Sequence, residues 1–385
     1  MDNTQSAVLL ETKLHRPRVP RNFIARPRLY NMLDRGLDHP LTLVCAAAGF
    51  GKTTLVSAWI ESHKQQGSST SLPNVAWLSL EESESDLDQF IRYFIGAVRT
   101  VIPDACAETW GTLEQSVNAS NSLLGVLLAN DLAQLRQQVT IVLDDCHLIG
   151  GTDVYELLSA LLEHPPESVN LILISRFVPP LPLPKLRARG KVVDISNQDM
   201  RFTGDEVHAY ADIASPHPLN QRNLETLELQ LEGWIAGLQL VTLSLQDVED
   251  IDAYLASFDG PPVRIFEFLL HEVLTKLPSA VKSFLLMTAN LEQLSVKLCE
   301  HIIPHDDPDW DTDAIVDYVV NANLFITRLD VQGHWYRYHP MFRDVLKRAA
   351  ADAISQEHAQ AISIRVAYWY ESQGSIDQAV KYALH

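Results

Sequence analysis

The segment AAAGFGKTT, Ala46 to Thr54, constrains the fold more than any other part of the chain. It follows the apolar run LTLVC and precedes residues that repeat apolar side chains at three- and four-residue spacing. Glycines at positions 49 and 51 let the backbone curl so that successive N–H groups converge, and a helix starting near Lys52 points its positive dipole end at the same place. Strand, glycine-rich turn and helix together predict a phosphate-binding loop in an α/β domain.

The loop departs from the pattern G-x-x-x-x-G-K-[ST] only at its first position, where Ala46 replaces glycine. We expect Lys52 to lie between the β- and γ-phosphates of ATP or ADP and the Thr53 hydroxyl to bind Mg²⁺. A chance glycine-rich turn is the alternative. The nucleotide-binding residues predicted from the loop are Gly49, Phe50, Gly51, Lys52, Thr53 and Thr54.

Charged residues follow two later apolar runs, in VTIVLDD (139–145) and LILISR (171–176). Ligands of open α/β sheets bind at the carboxyl ends of the strands. Asp144 is therefore the candidate magnesium ligand, Asp145 the candidate for orienting the attacking water, and Arg176 the candidate for stabilising transition-state charge, with Lys52 as the third catalytic residue. The alternatives are a strand that simply ends in an Asp–Asp turn and an exposed arginine at a strand end.

The first half of the chain alternates short apolar runs with helical patterns, which is typical of a doubly wound parallel sheet. One run, NVAWLSL, separates the loop from the Asp–Asp pair, an arrangement that resembles the additional-strand class of P-loop NTPases. The predicted strands are Leu41–Ala46, Val75–Leu80, Val139–Leu143, Leu171–Ser175 and Val192–Ile195, and the predicted helices between them are Leu55–Gln65, Leu87–Val101, Ser122–Gln138 and Val154–Leu162.

The second half reads differently, because helical patterns dominate after Arg201. The stretch from Thr203 to Ala256 predicts a small helical subdomain. Two β runs, LFITRLD and HWYRYH, flank Val331-Gln332-Gly333 and predict a hairpin. Because this hairpin follows a series of helices, we expect a winged-helix domain. The last 25 residues read as helix, turn, helix, like one unit of a tetratricopeptide array, and one unit alone predicts that the chain is a fragment of a longer protein.

Composition excludes several classes of protein. With 30 basic and 49 acidic residues the formal charge is −19, which disfavours a DNA-binding surface over most of the chain. The four cysteines form no C-x-x-C pair, and no apolar stretch approaches the roughly 20 residues that span a bilayer. We therefore expect a cytoplasmic, multidomain protein without a membrane partner.

Several strings, taken in order, carry a family resemblance over essentially the whole chain: TKLHRPRVPRNFIARPRLYNML, AAAGFGKTTLVSAW, VLDDCHLI, SRFVPPLPLPKLRARGKVVDI, MRFTGDEV, EGWIAGLQLVTLSL and WYRYHPMFRDVL. They resemble the N-terminal part of MalT-like, LuxR-type ATP-dependent transcriptional regulators, which are signal-transduction NTPases with numerous domains. The domains that the resemblance implies are a nucleotide-binding domain at 1–202, a helical subdomain at 203–260, a winged helix at 261–350 and the start of a tetratricopeptide-like sensor at 351–385.

The resemblance also implies roles that spacing does not reveal. Phe23, Ile24 and Arg26 match an adenine-side segment, although an arm packed on the sheet is the alternative. Gly233 and Trp234 match a position that closes over the nucleotide base, although Trp234 suits a core equally. His339 matches a winged-helix histidine that contacts the β-phosphate of ADP; the alternative is a histidine satisfied beside Trp335 and Tyr338.

The resemblance favours a nucleotide-operated switch. It implies a closed monomer with ADP that opens and self-associates with ATP and a small-molecule inducer, then acts on DNA through a C-terminal helix-turn-helix. ATP hydrolysis would be weak and would reset the switch. Two alternatives stay open: a P-loop ATPase enzyme or motor with steady turnover, and a nucleotide-locked binding module without hydrolysis.

Overall fold

The computed structural model describes residues 9–66, 74–115, 120–248, 250–256, 263–303, 310–330 and 334–384. The chain divides into two compact units. The first comprises residues 1–46 and 50–200, and the second comprises residues 201–385 together with Ala47–Gly49 of the glycine-rich loop. Among the described residues, no helix is long and apolar enough to cross a membrane.

The first unit is built on a parallel sheet, and the prediction of a doubly wound P-loop domain is confirmed. Every residue of the first and third strands is buried, as expected where helices cover both faces of a sheet. The five strands that the structure describes here are β1 (Leu41–Cys45), β2 (Asn74–Ser79), β3 (Val139–Asp144), β4 (Val169–Ser175) and β5 (Val192–Ile195).

The spatial order of the strands is β2-β3-β4-β1-β5, so β4 pairs with β1 on one side and with β3 on the other. The strand inserted between the loop strand and the Asp–Asp strand is therefore LILIS, whereas NVAWLS lies at the edge of the sheet. The sequence interpretation assigned the additional-strand class correctly but from the wrong strand. Order along the chain does not fix order in space, because each crossover helix can return the chain to any edge.

Helices connect the strands of the first unit, and strand and helix ends differ from prediction by a few residues. The strand predicted to reach Ala46 ends at Cys45, and the helix predicted to reach Gln138 ends at Ala133, because the chain must still turn into β3. The helices are α1 (Pro27–Gly36), α2 (Lys52–Gln66), α3 (Leu87–Arg99), α4 (Ala107–Gln115), α5 (Asn121–Ala133), α6 (Thr152–Glu163), α7 (Leu183–Ala188) and α8 (Asn197–Met200).

A buried ion pair fastens the N-terminal arm to the first unit. The Lys13 ammonium donates to both carboxylate oxygens of Glu84, at 2.9 and 3.0 Å, and lies 4.9 Å from the centre of the Tyr93 ring. Glu84 is fully buried. Burial alone would raise the pKa of Glu84, but hydrogen bonds from Lys13 and from the Glu81 backbone lower it below its ordinary value.

The second unit begins with a helical bundle, as predicted. Thr203 and Glu206 form a reciprocal capping box at the first of its helices. Its helices are α9 (Gly204–Ala214), α10 (Gln221–Leu231), α11 (Ile235–Ser244), α12 (Ile251–Ala256), α13 (Val263–Glu272), α14 (Ser279–Met287), α15 (Val296–Ile302) and α16 (Thr312–Asn321).

The predicted hairpin is present as β6 (Ile326–Arg328) and β7 (Tyr336–Tyr338), which pair antiparallel. Leu294 forms a bridge with Tyr336, which places a third extended segment beside the hairpin. The predicted turn residues Val331-Gln332-Gly333 lie outside the described residues. This arrangement of helices and hairpin agrees with the predicted winged helix.

The remaining helices are α17 (Pro340–Ala353), α18 (Gln356–Ser372) and α19 (Ile376–Ala383). Tyr370 and Tyr382 stack with their ring centres 5.7 Å apart, which holds the last two helices side by side. Gly374 between them has φ +75°, a left-handed conformation that favours glycine at a helix end. The helix, turn, helix pattern predicted for the last residues is observed.

We expect Glu84→Gln to destabilise the first unit by about 2 kcal/mol, because it removes the buried carboxylate partner of the Lys13 ammonium and leaves only the exposed Glu81 carboxylate, at 2.9 Å. The control is Glu163→Gln, which breaks the exposed ion pair with Lys185 and is expected to leave the midpoint of urea unfolding nearly unchanged. Urea unfolding followed by circular dichroism measures both. Equal effects of the two substitutions would contradict the anchoring role of Glu84.

Candidate functional site

The glycine-rich loop has the backbone geometry of a phosphate cradle. Gly49 and Gly51 have φ of +77° and +76°, which residues with a side chain rarely adopt. Helix α2 begins directly afterwards at Lys52, and Leu55 N–H donates to the Gly51 carbonyl. The Lys52 ammonium is buried and donates to the Ala46 carbonyl at 2.7 Å. Phe50 is buried, while the Thr53 and Thr54 side chains are half-buried.

The first turn of α2 and the end of β3 meet through side chains. The Thr53 hydroxyl donates to Asp144 Oδ1 at 3.0 Å, although β4 separates β3 from the loop strand. Asp144 is 2% exposed and also accepts a hydrogen bond from the Asp145 N–H. Burial, and then the neighbouring Asp145 carboxylate, raise the pKa of Asp144 to about 7.

Arg176 and Asp145 complete the charged group around Lys52. Burial, and then the nearby Arg176 guanidinium, lower the pKa of Lys52 to about 8 against the opposing effect of Asp145. Asp145 itself has φ +56°, a left-handed conformation that aspartate tolerates better than most residues. The structure therefore brings together four of the residues singled out in the sequence, from three separate segments: Lys52, Asp144, Asp145 and Arg176.

The chemistry of these groups fits Mg²⁺ and a polyphosphate. The Thr53 hydroxyl and Asp144 carboxylate are oxygen donors, which Mg²⁺ prefers, and a lysine ammonium and an arginine guanidinium suit phosphate oxygens. Within the described residues, no three His, Cys, Asp or Glu side chains converge as a metal site. Mg²⁺ bound with a nucleotide usually takes only one or two protein oxygen ligands, a role that Thr53 and Asp144 would fit.

Three loop residues, Ala47–Gly49, belong with the second unit, where α11 contacts them. The Trp234 indole N–H donates to the Ala48 carbonyl at 3.1 Å, and the Ala236 N–H donates to the Gly49 carbonyl at 3.0 Å. A Cβ on Gly49 would lie 2.6 Å from both Trp234 Nε1 and Ala236 Cβ. Glycine is thus required at position 49 for close approach as well as for its positive φ.

His339 is buried at the start of α17, where its ring packs against Trp234 and Phe325. Its Nε2 lies 2.9 Å from the Leu231 carbonyl, so Nε2 carries the proton. Within the described residues, Nδ1 is buried and has no hydrogen-bond partner. Burial lowers the pKa of His339 to about 4.

A cluster of charged side chains lies beside His339, and no motif in the sequence predicts it. Glu232, with φ +45° at the end of α10, contacts Arg201 Nη1 at 3.1 Å and Arg337 Nη1 at 2.7 Å. Arg201 also donates to Thr327 Oγ1 in the hairpin. The cluster links the helical subdomain to the winged helix. Its members are separated by up to 136 residues between Arg201 and Arg337 along the chain, so no local motif could reveal it.

The residues proposed for the adenine side take different positions. Phe23 and Ile24 are half-buried, whereas Arg26 is 2% exposed and donates to the Met200 carbonyl at 2.9 Å. Gly233 has φ +75°, and its carbonyl accepts from the Phe202 N–H. A Cβ there would lie 2.5 Å from the Phe202 carbonyl oxygen, so the backbone requires glycine independently of any ligand.

The parallel sheet, the loop between β1 and α2, and the inserted strand β4 define a P-loop NTPase fold of the additional-strand class. A Walker-type ATPase of Pyrococcus abyssi has the same general fold, with a TM-score of 0.55 and 14% sequence identity over 86% of this chain and 98% of that one. A family model described as Nephrocystin 3, N-terminal, matches residues 21–176.

The particular resemblance is to MalT regulators. The family model described as MalT winged helix domain matches residues 270–360. The chain is 27% identical to the HTH-type transcriptional regulator MalT of Klebsiella pneumoniae over 98% of its length and 40% of that protein. It is 29% identical to MalT of Serratia proteamaculans over 89% of its length and 36% of that protein. The predicted similarity to the N-terminal portion of MalT-like regulators is confirmed.

We expect the second unit to lose stability as the pH falls from about 6.5 toward 4. Over this range His339 is protonated in the unfolded chain but stays neutral in the folded one, because its folded pKa is lower. The loss over that interval is about 3 kcal/mol. His339→Gln should flatten this slope, which urea unfolding monitored by tryptophan fluorescence measures. Glu232 contributes in a lower pH range, because folding lowers the pKa of its carboxyl group. Its stabilisation is fully present above the unfolded pKa and is lost as the pH falls through the folded pKa.

The matched control is His334→Gln, which alters an exposed histidine of the same hairpin region. This variant should keep the wild-type slope. A wild-type slope in His339→Gln would show that the buried histidine does not carry the pH dependence.

Proposed function

We propose that the chain is the nucleotide-operated switch of an ATP-dependent transcriptional regulator of the MalT-like type. The observation that carries the proposal is the hydrogen bond from the Thr53 hydroxyl to the Asp144 carboxylate beside buried Lys52, in a chain that continues into a winged helix. This is the side-chain arrangement that binding of a magnesium nucleotide requires.

In this proposal Lys52 holds the β- and γ-phosphates, and Thr53 and Asp144 hold Mg²⁺, which when bound neutralises charge on the phosphate oxygens. The backbone N–H groups of the loop bind the remaining phosphate oxygens, and Phe23, Ile24 and Arg26 flank the adenine. Asp145 orients the attacking water, since its carboxylate is partly exposed beside the buried Asp144. Arg176 stabilises the charge that develops during ATP hydrolysis.

The winged helix supplies the switch in this proposal, with ADP favouring a closed monomer through His339. In the arrangement described, His339 gives its only proton to the Leu231 carbonyl, and Nδ1 can accept but not donate. Contact with a phosphate oxygen therefore requires a second proton on the ring or release of Leu231. A nearby phosphate dianion would favour that proton by electrostatic attraction.

Inducer and ATP would then open the chain and permit self-association, because ligands shift an equilibrium only by binding its two states with different affinity. The relatives are named HTH-type transcriptional regulators, and this chain spans about 40% of their length. Binding of promoter DNA through a helix-turn-helix, binding of the inducer through a helical-repeat sensor, and action in the cytoplasm belong to the proposal for the whole regulator.

Lys52→Ala should abolish binding of ADP and ATP, because it removes the buried ammonium proposed to lie between the β- and γ-phosphates. Lys64→Ala, an exposed lysine in the last turn of the same helix, is the control and should bind normally. Isothermal titration with magnesium ADP measures both. Affinity in Lys52→Ala within about threefold of wild type would refute the site.

Turnover separates the switch from its alternatives. We expect slow ATP hydrolysis without inducer, and Asp145→Asn should reduce it at least about 100-fold while ADP affinity stays near wild type. Phosphate release measured under saturating ATP tests this. Rapid steady turnover in the wild type would favour an enzyme or motor, whereas complete absence of hydrolysis in an oligomer would favour a nucleotide-locked module.

A further inference from the structure

Helix α11 holds the glycine-rich loop by two consecutive carbonyl groups. The Trp234 indole N–H donates to the Ala48 carbonyl and the Ala236 backbone N–H donates to the Gly49 carbonyl. Both contacts lie within the unit that contains Ala47–Gly49. The loop carbonyls thus have donors that are independent of any ligand.

The direction of these bonds matters for phosphate binding. A trans peptide unit is planar, so its C=O and N–H point in opposite directions. The Ala48 carbonyl shares a plane with the Gly49 N–H, and the Gly49 carbonyl shares a plane with the Phe50 N–H. Donors that hold the two carbonyls on one side therefore aim the Gly49 and Phe50 N–H groups toward the other side.

The indole ring itself has no face left for a nucleotide base. Trp234 is fully buried, and its ring packs against Phe268, Phe325 and His339 at centroid distances of 5.9, 5.3 and 6.3 Å. The role implied by family resemblance, closing over the base, requires an accessible ring face. The geometry gives Trp234 a backbone contact instead.

We propose that Trp234 is a positioning residue for the phosphates: its indole N–H orients the Ala48–Gly49 peptide so that the loop N–H groups face the polyphosphate of the nucleotide. The inference rests on the proposed function and deepens it. Because Phe325 and His339 of the winged-helix region pack on the same indole, a movement of that region reaches the phosphate loop through Trp234. The ligand part that Trp234 governs is the phosphate chain and not the adenine.

The test uses Trp234→Phe, which keeps a six-membered aromatic ring but removes the N–H donor together with the rest of the pyrrole ring, a loss of buried volume that the Trp77→Phe control shares. Pyrophosphate and adenosine each compete with a fluorescent ADP, so that the phosphate and base portions are measured separately. We expect the affinity for pyrophosphate to fall about tenfold, because a buried carbonyl loses its partner, and the affinity for adenosine to stay within about twofold. Trp77→Phe is the matched control, since Trp77 is 2% exposed and donates to Ser79 Oγ in β2.

A second variant, Ala236→Pro, removes the other donor near the start of α11, where proline is tolerated. It should give the same selective loss of pyrophosphate affinity, and circular dichroism melting verifies that both variants fold. Equal losses for pyrophosphate and adenosine, or no loss for either in a folded Trp234→Phe, would overturn the positioning role. Absence of ADP binding in the wild type would instead overturn the proposed function itself.

Discussion

A phosphate loop must point its N–H groups inward and its C=O groups outward, and the carbonyls then need partners of their own. In this chain the Ala48 and Gly49 carbonyls find those partners in Trp234 and Ala236 of the helical subdomain. The close approach leaves no space for a Cβ on Gly49. The identity of a residue in a nucleotide motif is therefore constrained by packing almost 190 residues further along the chain.

Two charged groups of the candidate site, Asp144 and Lys52, are buried, and loss of solvation disfavours their charged forms. Burial raises the pKa of Asp144 to about 7 and lowers that of Lys52 to about 8, so each group is charged only in part at physiological pH. A cation beside Asp144 and an anion beside Lys52 would each restore the charged form. The site is thus electrostatically suited to take up Mg²⁺ and phosphate together, even though the chain as a whole carries a formal charge of −19.

The parts of the site that the sequence predicts are those in which a short string determines both conformation and chemistry. The loop with Lys52 and Thr53 and the strand end at Asp144 are of this kind, because a buried parallel strand delivers whatever follows it to the carboxyl edge of the sheet. The strand inserted beside the loop strand was misidentified, since pairing of β4 with both β1 and β3 depends on crossovers. The contacts among Glu232, Arg201 and Arg337 escaped sequence reasoning altogether, because only the folded second unit brings them together.

For His339 and Trp234, family resemblance and the structure point to different contacts. Resemblance singled out both residues, one for a phosphate and one for a base, but the structure places His339 on the Leu231 carbonyl and Trp234 on the Ala48 carbonyl. Their rings lie 6.3 Å apart, so a change in the partner of one alters the packing of the other. In the proposed switch, His339 must gain a proton or leave the Leu231 carbonyl before it can meet a phosphate, and Trp234, which contacts the loop, would transmit that change to the nucleotide. Coupling of this kind would need no moving lid, because a second hydrogen-bond arrangement of one buried ring would be enough to give the ligand different affinities for two states.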